Sequence, residues 1–323
     1  MKQLKLGLLA ASMLFAAPAF ADEAKPLNLN EFTRVVQRKS AGEVLQCSIR
    51  VYSPPPRTKM GAKMLGPMAG MLRSNKPLPT PPKIVLVSMI HLGEKSFYTQ
   101  AKAELDSCDL VLFEDGQGNR AMAGMTGELI AGATGLAFQG KEIPIDGKRW
   151  RSADLNQAQL FRMMGIHPEA LEKMKNMMKG MGRMKISPSM LKNNPQLQAM
   201  LPTREKIIAQ MRNGSAGDLG GGKMADLILH QRNAIVIGEM TRASHEVRKR
   251  VGVIYGAAHM PAVDAFLRGR LGYTLDKVTW LDAVYADPKA AAKAPKPTVE
   301  APKKVEPKKV QPKVAPKKGD DWF

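Results

Sequence analysis

Three side chains able to hold a metal ion or move a proton stand just beyond three apolar runs. His91 follows Ile84-Val85-Leu86-Val87. Glu114 follows Asp109-Leu110-Val111-Leu112-Phe113. His259 follows Val251-Gly252-Val253-Ile254-Tyr255 through the turn Gly256-Ala257-Ala258. Short, β-branched apolar runs read as buried strands. In open α/β sheets the carboxyl ends of the strands are where ligand sites form. Two His and one carboxylate leave positions open on a divalent cation, the usual make-up of a catalytic metal site. The same three residues would also serve as ordinary hydrogen-bonded groups at strand ends. A fourth residue joins them. In a helix from Lys223, the positions Met224, Ile228, Arg232 and Ile235 or Val236 share one face. A guanidinium on that apolar face needs a carboxylate or a substrate oxygen, or else it snorkels from the edge of the core. In a catalytic reading the metal activates water and polarises a carbonyl, and Arg232 steadies the developing oxyanion. Glu114 is then either a ligand or the general base.

The elements that must position these residues alternate strand with helix, which favours a sheet covered by helices. Strands are expected at Val44 to Tyr52, Lys83 to Ile90, Asp109 to Phe113, Val251 to Tyr255 and Val278 to Ala283. Helices are expected at Ser96 to Ser107, Lys223 to about Arg242 and Pro261 to Leu271. His167-Pro168-Glu169 and Pro202-Thr203-Arg204-Glu205 read as helix starts. The expected fold class is α/β, a central sheet flanked by helices, with a Met-rich basic helical insertion at 161–222 and a disordered Lys/Pro tail at 286–323. Residues 22–82 carry one strand and then a Met/Pro-rich flap. Met60, Met64, Met68 and Met71 form a stripe there, but Gly61, Gly66, Pro67 and Gly70 weaken any helix. The α/β domain runs from 83 to 285.

Residues 1–21 read as a signal peptide: Lys2 and Lys5, the apolar run Leu6 to Phe15, then Ala19-Phe20-Ala21 as the cleavage pattern. Without a lipobox Cys, the expected destination is the periplasm. The whole chain of 323 residues carries a formal charge of +20, which favours anionic partners and surfaces. Two Cys exclude a disulfide scaffold and a Cys₄ zinc module. In an oxidising compartment Cys47 and Cys108 either pair or remain two buried thiols. Two motif-like stretches are decoys. Gly217 to Lys223 has phosphate-loop spacing, but Met224 stands where Ser or Thr would bind Mg²⁺, and no strand precedes it. His245-Glu246 has no second His four residues on.

The ordered set of motifs carries a resemblance. His91-Leu92-Gly93-x4-Tyr98 with Asp109-Leu110-Val111-Leu112-Phe113-Glu114, Trp150-x-x-Ala153-Asp154-Leu155, Arg232-Asn233, Gly256-Ala257-Ala258-His259-Met260-Pro261 and Leu271-Gly272-Tyr273-Thr274 resemble the TraB/GumN/Tiki family over roughly 83–160 and 223–282. The resemblance implies an α/β fold related to the erythromycin-esterase and ChaN group, with two GxxH motifs facing one cleft. It implies a divalent-metal-dependent protease as in Tiki members, or a haem-binding protein as in ChaN-like relatives. It places His91, Glu114 and His259 in the site, with Arg232 beside them. Two positions depart from the family: Ser88 replaces the first motif's Gly, and no Gly follows Pro261.

The functional expectation is an exported hydrolase, a peptidase by resemblance, using Mn, Co or Zn. The alternatives are a non-catalytic periplasmic binding protein for metal, haem or peptide, and an envelope interaction protein on a degenerate enzyme scaffold. Met177, Met178, Met181 and Met184 interleave with Lys173, Lys175, Lys179, Arg183 and Lys185. This zone reads as an adaptable apolar face for an anionic membrane or peptide, as soft Cu(I) ligands, or as plain core packing. The tail's ten Lys and seven Pro make it an extended, solvated arm toward anionic envelope polymers or lipid. No specific nucleic-acid partner is expected.

Overall fold

The computed structural model describes residues 32–56, 80–115, 127–163, 165, 169, 173, 201–213, 223–291 and 298–300, apart from single positions within these ranges. In chain order the strands are β1 (Thr33–Arg38), β2 (Gly42–Ser53), β3 (Lys83–Met89), β4 (Leu92–Gly93), β5 (Leu110–Phe113), β6 (Ala137–Phe138), β7 (Trp150–Ser152), β8 (Arg250–Gly256), β9 (Thr274–Tyr285) and β10 (Thr298–Glu300). The helices are α1 (Lys95–Asp106), α2 (Gln139–Glu142), α3 (Gln157–Met163), α4 (Arg204–Arg212), α5 (Lys223–Ser244), α6 (Met260–Gly269) and α7 (Pro288–Ala291). A 3₁₀ turn, Ala257–His259, leads into α6.

Eight of these strands form one mixed sheet in the order β10-β9-β2-β3-β8-β5-β7, with β1 also on β2. β3, β8, β5 and β7 are mutually parallel, while β1, β2, β9 and β10 pair antiparallel. The expected α/β class is therefore what the chain adopts. Alternation along the strands sends successive side chains to opposite faces. Ile84, Leu86, Leu110, Leu112, Val251, Val253 and Tyr255 meet Val236 and Met240 of α5 and Val263 and Leu267 of α6. Val85, Val87, Val111 and Ile254 meet Phe97, Tyr98, Ala101 and Leu105 of α1. Gly252 lets α1 and the turn after it pack tightly on β8, for a Cβ there would stand 3.1 Å from Leu105 Cδ2 and 3.2 Å from Cys108 Sγ.

β1 explains why β3 ends where it does. Both strands run antiparallel to the same edge of β2. β3 covers Ile49 to Tyr52 and β1 covers Gly42 to Cys47. With β1 in line beyond it, β3 loses its partner on that side, and the chain turns out of the sheet at Ile90 and His91.

Three expectations need comment. Cys47 and Cys108 are two buried free thiols, not a bridge. Both pack in the apolar layer under α1, and burial pushes both thiols up in pKa. The expected tail begins with order: Ala290 of α7 is buried beside Tyr285, and β10 pairs with β9. Ala290 and Ala291, just after Pro288-Lys289, give that stretch something to bury. The Met stripe of 60–71, the Met-rich zone at 174–185, His167 and the remaining tail lie outside the described residues.

The last helix of the expected insertion is well anchored. Thr203 caps α4 by accepting the Lys206 N–H. Arg204 is buried and donates to Glu94 (2.5 Å) and to the backbone oxygens of Tyr285 (2.9 Å), Thr134 (2.8 Å) and Gly135 (3.1 Å). Ile208 packs on Leu45 and Val284.

Candidate functional site

Each of the four parallel strands delivers a polar residue at its carboxyl end: His91 after β3, His259 after β8, Glu114 after β5 and Asp154 after β7. α5 crosses this edge and lowers Arg232 onto it. The guanidinium binds Asp154 through two bonds, Nε to Oδ1 at 2.8 Å and Nη2 to Oδ2 at 2.7 Å. The same Nη2 reaches Glu114 Oε1 at 2.5 Å. The apolar face of α5 thus receives its guanidinium with carboxylates on the far side, the partner such a placement requires.

Glu114 has both oxygens engaged. Oε1 meets Arg232, and Oε2 accepts the Gly256 N–H at 2.6 Å. A Cβ on Gly256 would stand 3.2 Å from Glu114 Oε2, a tight approach that would push the carboxylate by a few tenths of an ångström. Burial alone raises the Glu114 carboxyl. Arg232 foremost, then His259, His91 and the Gly256 N–H outweigh burial and bring its pKa down to about 2. It is a carboxylate at any physiological pH.

His259 is buried, and its ring packs edge-on against Tyr255 with centroids 5.0 Å apart. Its Nδ1 lies 2.7 Å from Asn233 Oδ1. With the amide oxygen as acceptor, Nδ1 carries the proton and Nε2 presents a lone pair. Burial holds the imidazole pKa below its usual value, and Arg232 adds to this, against the pull of Glu114 and Asp154. Nε2 faces Glu114 Oε1 at 3.9 Å. A lone pair opposite a carboxylate leaves room for an electropositive centre between them: a water proton or a cation.

The structure therefore brings Glu114, Arg232 and His259 together. His91 stands apart: it is exposed, with Nδ1 3.0 Å from Gln139 Oε1, and it acts on Glu114 only through its field. Asp154 and Asn233 are the partners that residue-type reasoning omitted from the site. Both were visible as neighbours, Asp154 within Trp150-x-x-Ala153-Asp154 and Asn233 beside Arg232. Tyr255 is also committed, donating to the Ala153 carbonyl at 2.6 Å.

The implied divalent ion can be tested against these donors. A separation of 3.9 Å between Nε2 and Oε1 is one that an ion with ligand bonds of about 2.0–2.2 Å spans. A ligating His also characteristically gives its other nitrogen to an oxygen acceptor, as His259 does to Asn233. Arg232 works the other way by bringing a positive charge to the same carboxylate. Among the described residues no group of three or more His, Cys, Asp or Glu is gathered to hold a metal. The donors fit as a pair, and His91 is the residue that would have to join them.

No helix among the described residues is long and apolar enough to cross a membrane. No family model, curated protein or solved structure matches the chain, so the resemblance to the TraB/GumN/Tiki family rests on the residues that carry it.

Proposed function

We propose that this chain is an exported, metal-dependent hydrolase, a peptidase as the TraB/GumN/Tiki resemblance implies, acting at the carboxyl edge of its parallel strands. One observation carries the reading: a permanently ionised Glu114 faces the lone pair of a neutral, oriented His259 across 3.9 Å. His259, Glu114 and His91 would hold Mn²⁺, Co²⁺ or Zn²⁺, which would supply an activated water and a polarised carbonyl. Asn233 fixes the His259 tautomer. Arg232 and Gly256 keep Glu114 charged and aimed. With both oxygens engaged, Glu114 is better placed to orient a water or an ion than to swing between roles.

The second reading, a non-catalytic binding protein on the same cleft, is favoured by His91, which is exposed and tied to Gln139 rather than gathered with the other two. The tail and the Met-rich zone would bring either protein to anionic envelope surfaces.

The test is metal titration of the mature chain with Mn²⁺, Co²⁺ and Zn²⁺, together with turnover of fluorogenic peptides. His91→Ala and His259→Ala should each lower metal affinity at least tenfold. Glu114→Gln that retains metal but loses turnover by roughly 10²–10⁴ marks a base, not a ligand. Metal binding by both His variants equal to the parent's rules out the metal mechanism. Binding without peptide turnover favours the second reading.

A further inference from the structure

Ser88 interrupts the apolar run Ile84-Val85-Leu86-Val87-Ser88-Met89 one residue before β3 ends. It is 1% exposed, and its Oγ has no hydrogen-bond partner among the described residues. A buried hydroxyl left without a partner is a destabilising choice at a strand position that Ala or Val would fill without that cost. Such an expense is expected where the group serves something other than the fold.

The register shows what lies beside it. Ser88 pairs with Tyr255 across β3 and β8. Phe113 pairs with Ile254 across β5 and β8, and the Glu114 N–H bonds the Ile254 carbonyl at 3.1 Å. Ser88, Tyr255 and Glu114 therefore occupy one level of three adjacent strands. Alternation sends Ile84, Leu86, Leu112, Val253 and Tyr255 to the α5 face, so the side chains of Ser88 and Glu114 leave the sheet on that same face. Between them, the Tyr255 hydroxyl is already used on Ala153. Ser88 is thus an unassigned donor and acceptor level with the ionised carboxylate of the site.

We propose that Ser88 Oγ is a binding group of this site, taking a neutral oxygen of the ligand, the carbonyl of a peptide or similar acyl compound, directly or through one water. The proposal rests on the hydrolase reading for its ligand class, but its first two tests do not depend on turnover.

The experiment compares the parent mature chain with Ser88→Ala. In thermal unfolding without ligand, Ser88→Ala should unfold about 2–4 °C higher, because removing a hydroxyl with no partner relieves its burial. A lower midpoint would mean that the hydroxyl is bonded within the fold, and would overturn the proposal. A crystal structure of the parent soaked with a short peptide should show a ligand oxygen, or a water held by the ligand, within hydrogen-bond distance of Oγ. An Oγ bonded only to protein groups, or to a water sealed from the cleft, also overturns it. With a fluorogenic peptide that the parent cleaves, Ser88→Ala should raise KM about tenfold with kcat changed less, the signature of a lost ligand hydrogen bond. Unchanged KM and kcat would overturn the proposal even if the first two results agreed with it. If the parent cleaves no peptide, the hydrolase reading fails while heat and density still decide the place of Ser88.

Discussion

Arg232→Met removes the one positive charge that Asp154 and Glu114 share, and its consequence can be worked from the contacts. Asp154 is 3% exposed and Glu114 14% exposed at the side chain. Three charge-assisted bonds disappear together. Two carboxylates in that position cannot both stay ionised, so one takes up a proton. For a carboxyl with an ordinary pKa of 4.5, protonation at pH 7 costs about 3 kcal/mol. That cost bounds the loss from one side. Removing one member of a buried ion pair typically destabilises by about 3–5 kcal/mol, and the two figures agree. Urea unfolding at pH 7 should therefore show a loss of about 3–5 kcal/mol with little change in slope. Adding Asp154→Asn to Arg232→Met should restore at least half of it, since the orphaned carboxylate is then gone. A loss below about 1 kcal/mol would refute the reasoning. So would a double variant no more stable than Arg232→Met alone, because the guanidinium would then not be neutralising buried charge.

Glu114 has a folded pKa depressed to about 2 against 4.5, so its contribution is present above pH 4.5 and lost as pH falls through about 2. It amounts to about 3 kcal/mol, and acid titration of stability should show that slope in the parent and not in Glu114→Gln. Gly256→Ala should fold, yet lose roughly tenfold in turnover, because the new Cβ meets Glu114 Oε2 at 3.2 Å; unchanged kinetics would show that the carboxylate's aim is unimportant. Asn233→Ala should release the His259 tautomer and cost about 10–100-fold in metal affinity or activity, read by metal titration and peptide turnover. Thiol titration of the denatured, unreduced protein should find two free thiols, since Cys47 and Cys108 are both unbridged.

The strands that carry the site were legible because their information is local. β3, β5 and β8 are short apolar runs, and His91, Glu114 and His259 follow them directly. α5 was legible from the apolar positions that share a face with Arg232, which left its guanidinium to meet a carboxylate, a substrate oxygen or solvent at the core edge. Which carboxylate was not legible, because Asp154 and Glu114 reach Arg232 from strands 78 and 118 residues away in the chain. Arg204 shows the same limit. It reads as one more cation in a basic stretch, but its partners come from Glu94, Thr134, Gly135 and Tyr285, and together they bury it. β1 was missed because its apolar content is thin; it is a strand by virtue of the edge β2 offers it. His91 was read as an equal member of a trio, and no pattern in its own neighbourhood announces Gln139.

The pairing of β3 with β8 joins residues 83–89 to residues 250–256, and that of β2 with β9 joins Val44 to Tyr285. Glu114 meets Gly256 across 142 residues of chain and Arg232 across 118, and Arg232 meets Asp154 across 78. Chains dominated by such distant pairings fold slowly, because the entropy of closing the loop is spent before any contact repays it. The Glu114, Arg232 and His259 cluster is therefore expected to assemble late in folding. It needs β5, β7 and β8 paired and α5 laid across their carboxyl ends, so it depends on most of the parallel half of the sheet. Until then Glu114 and Asp154 remain hydrated carboxylates, and only the closing of α5 replaces that water with the Arg232 guanidinium.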